Sequence, residues 1–182
     1  MKLLLVLCTV ILFGCKSTNT LIKQQEAVKQ LESLETVLHS KQFTVSVVNV
    51  LPSNTYATQQ VLNTLLLQTA GDSSSSIDVQ SEGYFLTVKD NIAIGDLPFF
   101  GERRVANAYT NAKGGIMFNN VVHNFKMVKN ARKKLFTISF DVDKNTQNYS
   151  VYMLVYANKQ VNLTVNTSHT TTISYTGKLS SN

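Results

Sequence analysis

The chain has 182 residues, a formal charge of +6, and charged residues at only 15%. That length is one domain's worth, enough to bury a core without metals or disulfides. Charge this thinly spread, with Thr, Ser and Asn in its place, argues against a nucleic-acid partner.

Lys2 precedes a run of about eleven largely apolar residues, Leu3 to Phe13, closed by Leu12-Phe13-Gly14-Cys15. A charged start, an apolar run and a small residue at the cut describe a secretory signal peptide over residues 1–14. A membrane span needs roughly twenty apolar residues, so length rejects that reading. Gly14-Cys15 reads as a lipobox, which makes Cys15 the lipidation site and the membrane a partner through its acyl chains. Cys8 leaves with the signal and Cys15 carries lipid, so the mature fold has no disulfide although its compartment permits one.

Residues 15–20 form a lipidated tether, and 21–182 a single β-rich domain with an N-terminal amphipathic helix. Leu21, Val28, Leu31, Leu34 and Leu38 recur at helical spacing and predict a helix from Leu21 to Ser40, capped by Asn19 or Thr20, with that stripe on the domain. After Lys41 the period drops to two. Phe43, Val45 and Val47 alternate with Thr44 and Ser46, a strand that Leu51-Pro52 ends. Thr58 to Gln68 reads as a short helix and Ala70 to Ser76 as a loop.

From Ile77 the chain reads as successive short strands. Gly83 to Lys89 and Ile92 to Gly95 flank the Asp90-Asn91 turn. Phe99 to Ala106, Ile116 to Phe118, Val122 to Val128 and Leu135 to Val142 follow, the last two flanking a basic loop from Lys129 to Lys134. Tyr149 to Ala157, apolar on both faces, predicts a central strand. Val161 to Asn166 and Thr171 to Thr176 complete the set. Many short antiparallel strands with turn signals predict a mainly β fold, an antiparallel sandwich or partly open barrel.

Tyr84-Phe85-Leu86, Leu97-Pro98-Phe99-Phe100-Gly101-Glu102-Arg103, Gly114-Gly115-Ile116-x-Phe118 and Ile173-Ser174-Tyr175-x-Gly177 occur in this order. The pattern resembles an uncharacterised family of Bacteroidota lipoproteins, domain-of-unknown-function family 4251, over nearly the whole mature chain. Members show Leu-Pro-Tyr-Phe-Gly where this chain has Phe99 for Tyr. The resemblance implies a mostly β exported domain and carries over no catalytic residue. Lys16-Ser17-Thr18-Asn19 has no acidic residue after the Cys, so the expected location is the outer membrane, facing the periplasm.

Pro98 and Gly101 flanking two aromatics mark a bend first of all. With Arg103, Arg104 and Tyr109 nearby, Phe99 and Phe100 also make a candidate ligand surface. Aromatic faces beside Arg forks suit a sugar, carboxylate or phosphate.

Other patterns carry less. Asp141-x-Asp143-x-Asn145 starts like a calcium loop, but Thr146 and Tyr152 stand where an EF-hand needs Gly and Glu. His39, His123 and His169 are isolated, so no metal or cofactor is called for. No nucleophile elbow occurs, and Glu82, Asp96, Glu102 and Asp141 are few for a carboxylate hydrolase. The basic loop, with Lys126, is a solvated hairpin tip or a docking point for anionic lipid. Sequons at Asn148, Asn162 and Asn166 matter only in eukaryotic secretion. The expected function is a non-enzymatic envelope lipoprotein binding a small molecule, glycan or protein. A structural or assembly accessory is the alternative, and a hydrolase comes third.

Overall fold

The structure is a computed structural model, and it describes residues 18–53, 55, 59, 60, 64, 75–104 and 114–181. Cys15, Tyr109 and most of the helix expected at Thr58 to Gln68 lie outside these residues, although Gln59, Gln60 and Thr64 are helical. Among the described residues one long helix, α1 (Thr18–His39), precedes nine strands. These are β1 (Gln42–Leu51), β2 (Ile77–Asp78), β3 (Phe85–Lys89), β4 (Ile92–Leu97), β5 (Ile116–Asn130), β6 (Leu135–Lys144), β7 (Gln147–Tyr156), β8 (Gln160–Thr167) and β9 (Ile173–Ser181).

Every pairing is antiparallel, and β3 to β9 follow one another as neighbours. β1 pairs with β3 on one side and with β9 on the other, from Phe43 opposite Ser181 to Leu51 opposite Ser174. That pairing closes an eight-stranded up-and-down barrel, with β2 added beside the far end of β1. The mainly β expectation holds, and of its two architectures the barrel forms, closed rather than partly open. Closure pairs each of the eight barrel strands on both sides, and only the two-residue β2 is left as an edge among the described residues.

Period-two alternation turns apolar residues inward. Phe43, Leu86, Phe136, Ile138, Phe140, Met153, Leu163 and Tyr175 are all fully buried. An eight-stranded barrel is just wide enough for such side chains to fill. Leu31, Leu34 and Leu38, at i, i+3 and i+7 of α1, join the same core and cover one end of the barrel. This is the end of the β3–β4, β5–β6 and β7–β8 turns, here called the helix end. The opposite end is the rim.

Four expectations need correction. α1 begins at Thr18, so Asn19 and Thr20 are helical residues rather than caps. Val28, expected on the buried stripe, is 52% exposed, whereas Leu31, Leu34 and Leu38 further along α1 are buried. Phe99 to Arg104 forms no strand; its one ladder contact is an isolated bridge from Arg103 to Thr170. The two strands expected at Ile116 to Phe118 and Val122 to Val128 are one strand with a bulge between His123 and Lys126. The polar pair Asn119-Asn120 does not break it, because β4 satisfies its backbone on one side. On the other side the Asn120 amide donates to the Asp143 carbonyl at 2.6 Å and Lys144 Nζ to the Met117 carbonyl at 2.7 Å, so side chains bridge the split between β5 and β6.

Candidate functional site

The rim segment after β4 is built by packing. Pro98 is buried, and Phe99 and Phe100 are half-buried against the core. The Tyr175 hydroxyl donates to the Pro98 carbonyl at 2.8 Å. A Cβ on Gly101 would stand 2.7 Å from Thr171 Oγ1 and 2.8 Å from the Phe99 ring, so glycine is required for the approach. Two backbone bonds then tie this segment to the β8–β9 loop: Thr171 N–H to the Glu102 carbonyl at 2.9 Å, and Arg104 N–H to the His169 carbonyl at 2.8 Å. Arg103 is exposed and its Nη2 donates to the Gly114 carbonyl at 3.2 Å. Arg104 is exposed beside it.

Of the expected ligand surface, then, Phe99 and Phe100 sit in the edge of the core while Arg103 and Arg104 reach solvent. Three of the four sequence motifs named above meet at this rim. Gly115 lies against the Leu97 carbonyl, where a Cβ would come within 2.6 Å, and Phe118 covers Gly95 and packs on Tyr149 with ring centroids 5.2 Å apart. Their demonstrable work is architectural.

A different constellation lies on the outer wall, where the β5 bulge opens a shallow groove of about 560 Å³. Two neighbouring rows of outward residues floor it. Asp141, Ser150 and Asn166 align across β6, β7 and β8, and Ser139, Tyr152 and Thr164 align beside them. Asn124, at φ 54° in the bulge, donates its amide to Asp141 Oδ2 at 2.9 Å, and Ser150 Oγ donates to Oδ1 at 2.7 Å. These two bonds, with His123 and Lys126 nearby, hold the Asp141 carboxyl below its ordinary pKa, although partial burial opposes them. The carboxylate keeps further lone pairs for a ligand donor. Tyr152 is 45% exposed, and the groove therefore combines an aromatic surface with amide, hydroxyl and carboxylate groups on rigid strands.

Sequence reading missed this groove. Its residues look like ordinary outward strand positions, and Tyr152 belongs to a strand expected to be buried on both faces. The one available signal was a run of polar outward residues on three consecutive strands. Of the other candidates, Glu82 and Asp96 both lie near the Tyr84 hydroxyl, whose pKa is raised by burial and then by their charges, and the rest stay apart. Asp143 accepts from the Asn148 amide at 2.7 Å as part of the β6–β7 hairpin. Glu102 lies on the rim and accepts from the Thr55 hydroxyl, whereas Asp141 lies on the wall. Among the described residues no group of three His, Cys, Asp or Glu side chains could hold a metal ion.

Fold and surface together define a small closed antiparallel barrel with a filled interior, one helical cover and a polar groove outside. The family model described as Domain of unknown function (DUF4251) matches residues 24–179, and the chain belongs to that family. A crystal structure of a DUF4251 family protein from Bacteroides eggerthii is similar, with a TM-score of 0.59 at 14% identity, covering 87% of this chain and 91% of that one. At that identity the likeness concerns the fold. No curated protein matches the chain.

Proposed function

We propose that this protein is a lipid-anchored, non-catalytic binding module of the cell envelope, held at the outer membrane through Cys15, and that its outer-wall groove takes a glycan. One observation carries the glycan reading: exposed Tyr152 sits beside the hydrogen-bonded pair Asp141–Asn124 and the polar side chains of Ser150, Thr164 and Asn166, which line the same groove. An aromatic face suits the apolar side of a sugar ring, and paired carboxylate and amide groups suit its hydroxyls. The filled barrel interior favours a ligand bound outside over one bound within. The lipobox supports the anchor and the periplasm-facing location.

A thermal-shift and NMR titration against peptidoglycan disaccharide and lipopolysaccharide core oligosaccharide tests the groove, since a ligand of the native state raises stability by mass action. Binding that perturbs β6–β8 amides and disappears in Tyr152→Ala is expected. Glycan binding retained in Tyr152→Ala, or none at all, rejects the groove. Radiolabelled palmitate entering the wild type but not Cys15→Ser tests the anchor separately.

An assembly accessory is the second reading. Ile92 and Val121 are register partners on β4 and β5, exposed 43% and 45%, and form an apolar pair on the outer wall that a protein neighbour would cover.

A further inference from the structure

We infer that the helix end of the barrel is a docking surface for anionic lipid headgroups, which stands the barrel upright on the bilayer with its rim facing away. The inference rests on the envelope reading for a membrane within reach, but not on acylation of Cys15.

Charge is segregated along the barrel axis. Every connection at the helix end carries exposed cations: Lys41 before β1, Lys89 at the β3–β4 turn, Arg132, Lys133 and Lys134 at the β5–β6 turn, and Lys159 at the β7–β8 turn. Of the carboxylates there, Glu35 accepts from Lys129 Nζ at 2.5 Å, while exposed Glu32 and Asp90 keep their charge and leave the six turn cations in excess. At the rim the balance reverses, with Asp78, Glu82, Asp96, Glu102 and Asp143 against Arg103, Arg104 and Lys144. The low net charge of the chain therefore hides a basic pole.

The chemistry of that pole fits a lipid surface better than a fixed partner. Its cations stand on separate turn tips around a ring, and most are lysines, flexible point charges rather than planar forks. Lys41 lies over the Phe125 ring, 4.9 Å from its centroid, and the other tips present their cations without an aromatic ring partner among the described residues. A mobile two-dimensional layer of headgroups can meet all the tips at once, and each basic residue near such a surface adds an increment that salt removes.

All described secondary structure lies from Thr18 onward, so residues 15–182 with Cys15→Ser hold the whole described fold without an acyl chain. This protein is sedimented with vesicles of phosphatidylcholine alone and of phosphatidylcholine mixed with phosphatidylglycerol. Binding only to the anionic vesicles, abolished by high salt, is expected. Lys133→Ala with Lys134→Ala should weaken it about thirtyfold, and Arg103→Ala with Arg104→Ala should leave it unchanged. Orientation is read independently with a solvatochromic dye at Arg132→Cys or at Thr146→Cys, in the turns at opposite ends. A blue shift at 132 alone supports the inference. Binding to neutral vesicles, insensitivity to salt, equal loss from both paired variants, equal shifts at both dye positions, or no binding overturns it. None of these outcomes bears on palmitate labelling or glycan titration, so the two readings fail separately.

Discussion

Tyr175 on β9 donates its buried hydroxyl to the carbonyl of Pro98, 77 residues earlier in the chain, at 2.8 Å. The bond joins the Leu97–Arg103 and Ile173–Gly177 motifs and fixes the rim segment onto the barrel wall. Burial pushes the Tyr175 pKa far above the ordinary tyrosine range, so the donor keeps its proton.

Tyr175→Phe leaves the ring in place and strands the Pro98 carbonyl without its donor. An unsatisfied buried acceptor costs about 1–3 kcal/mol. Urea unfolding should show that loss with an unchanged slope. A variant as stable as the wild type would mean that solvent replaces the hydroxyl.

Gly177 faces the β1–β9 seam, where a Cβ would lie 2.4 Å from the Ser46 carbonyl oxygen and 3.0 Å from Val45 Cγ1. The first of these is backbone and cannot swing aside. Gly177→Ala should therefore destabilise by about 1–3 kcal/mol, and hydrogen exchange should rise first along β1 and β9. Uniform exchange across all strands would place the strain elsewhere.

The seating of α1 predicts a contrast along one helix. Leu34 is 1% exposed and Val28 is 52% exposed. Leu34→Ala should cost about 2–5 kcal/mol, whereas Val28→Ala should stay within about 0.5 kcal/mol. Similar losses at both positions would show that the N-terminal half of the helix is also packed.

Asp141 gives a pH dependence with a definite sign. Its folded pKa is depressed below the ordinary 3.8, chiefly by the Asn124 and Ser150 hydrogen bonds. Its contribution to stability is therefore present above the unfolded value and is lost as pH falls through the folded one. Thermal melts from neutral pH into strong acid should show a shallower acid limb for Asp141→Asn than for the wild type. Parallel limbs would remove the carboxylate from the groove's organisation.

Much of the fold was legible because strand periodicity is local. Phe136, Ile138, Phe140 and Val142 alternate with Thr137, Ser139 and Asp141, and the barrel buries the first set while the second faces outward. Asp90-Asn91 marked its hairpin, with Lys89 opposite Ile92 and Asp90 at φ 55°, because Asp tolerates the left-handed region. Leu97 to Arg104 was legible only in half. Pro98 and Gly101 announced the bend, but the expected strand failed because its backbone partners, Thr171 and His169, belong to a loop far along the chain.

The sequence by itself determined the β class, most of the turns and which residues of most strands go inside. Each of those depends on neighbours a few positions away. The tertiary structure alone decided that β1 meets β9 and closes the barrel, that the β5 bulge opens a groove beside Asp141 and Tyr152, and that the lysines of four separate connections share one end. Closure, grooves and charge poles depend on strand register between distant segments, and register leaves no mark in the composition of any one of them.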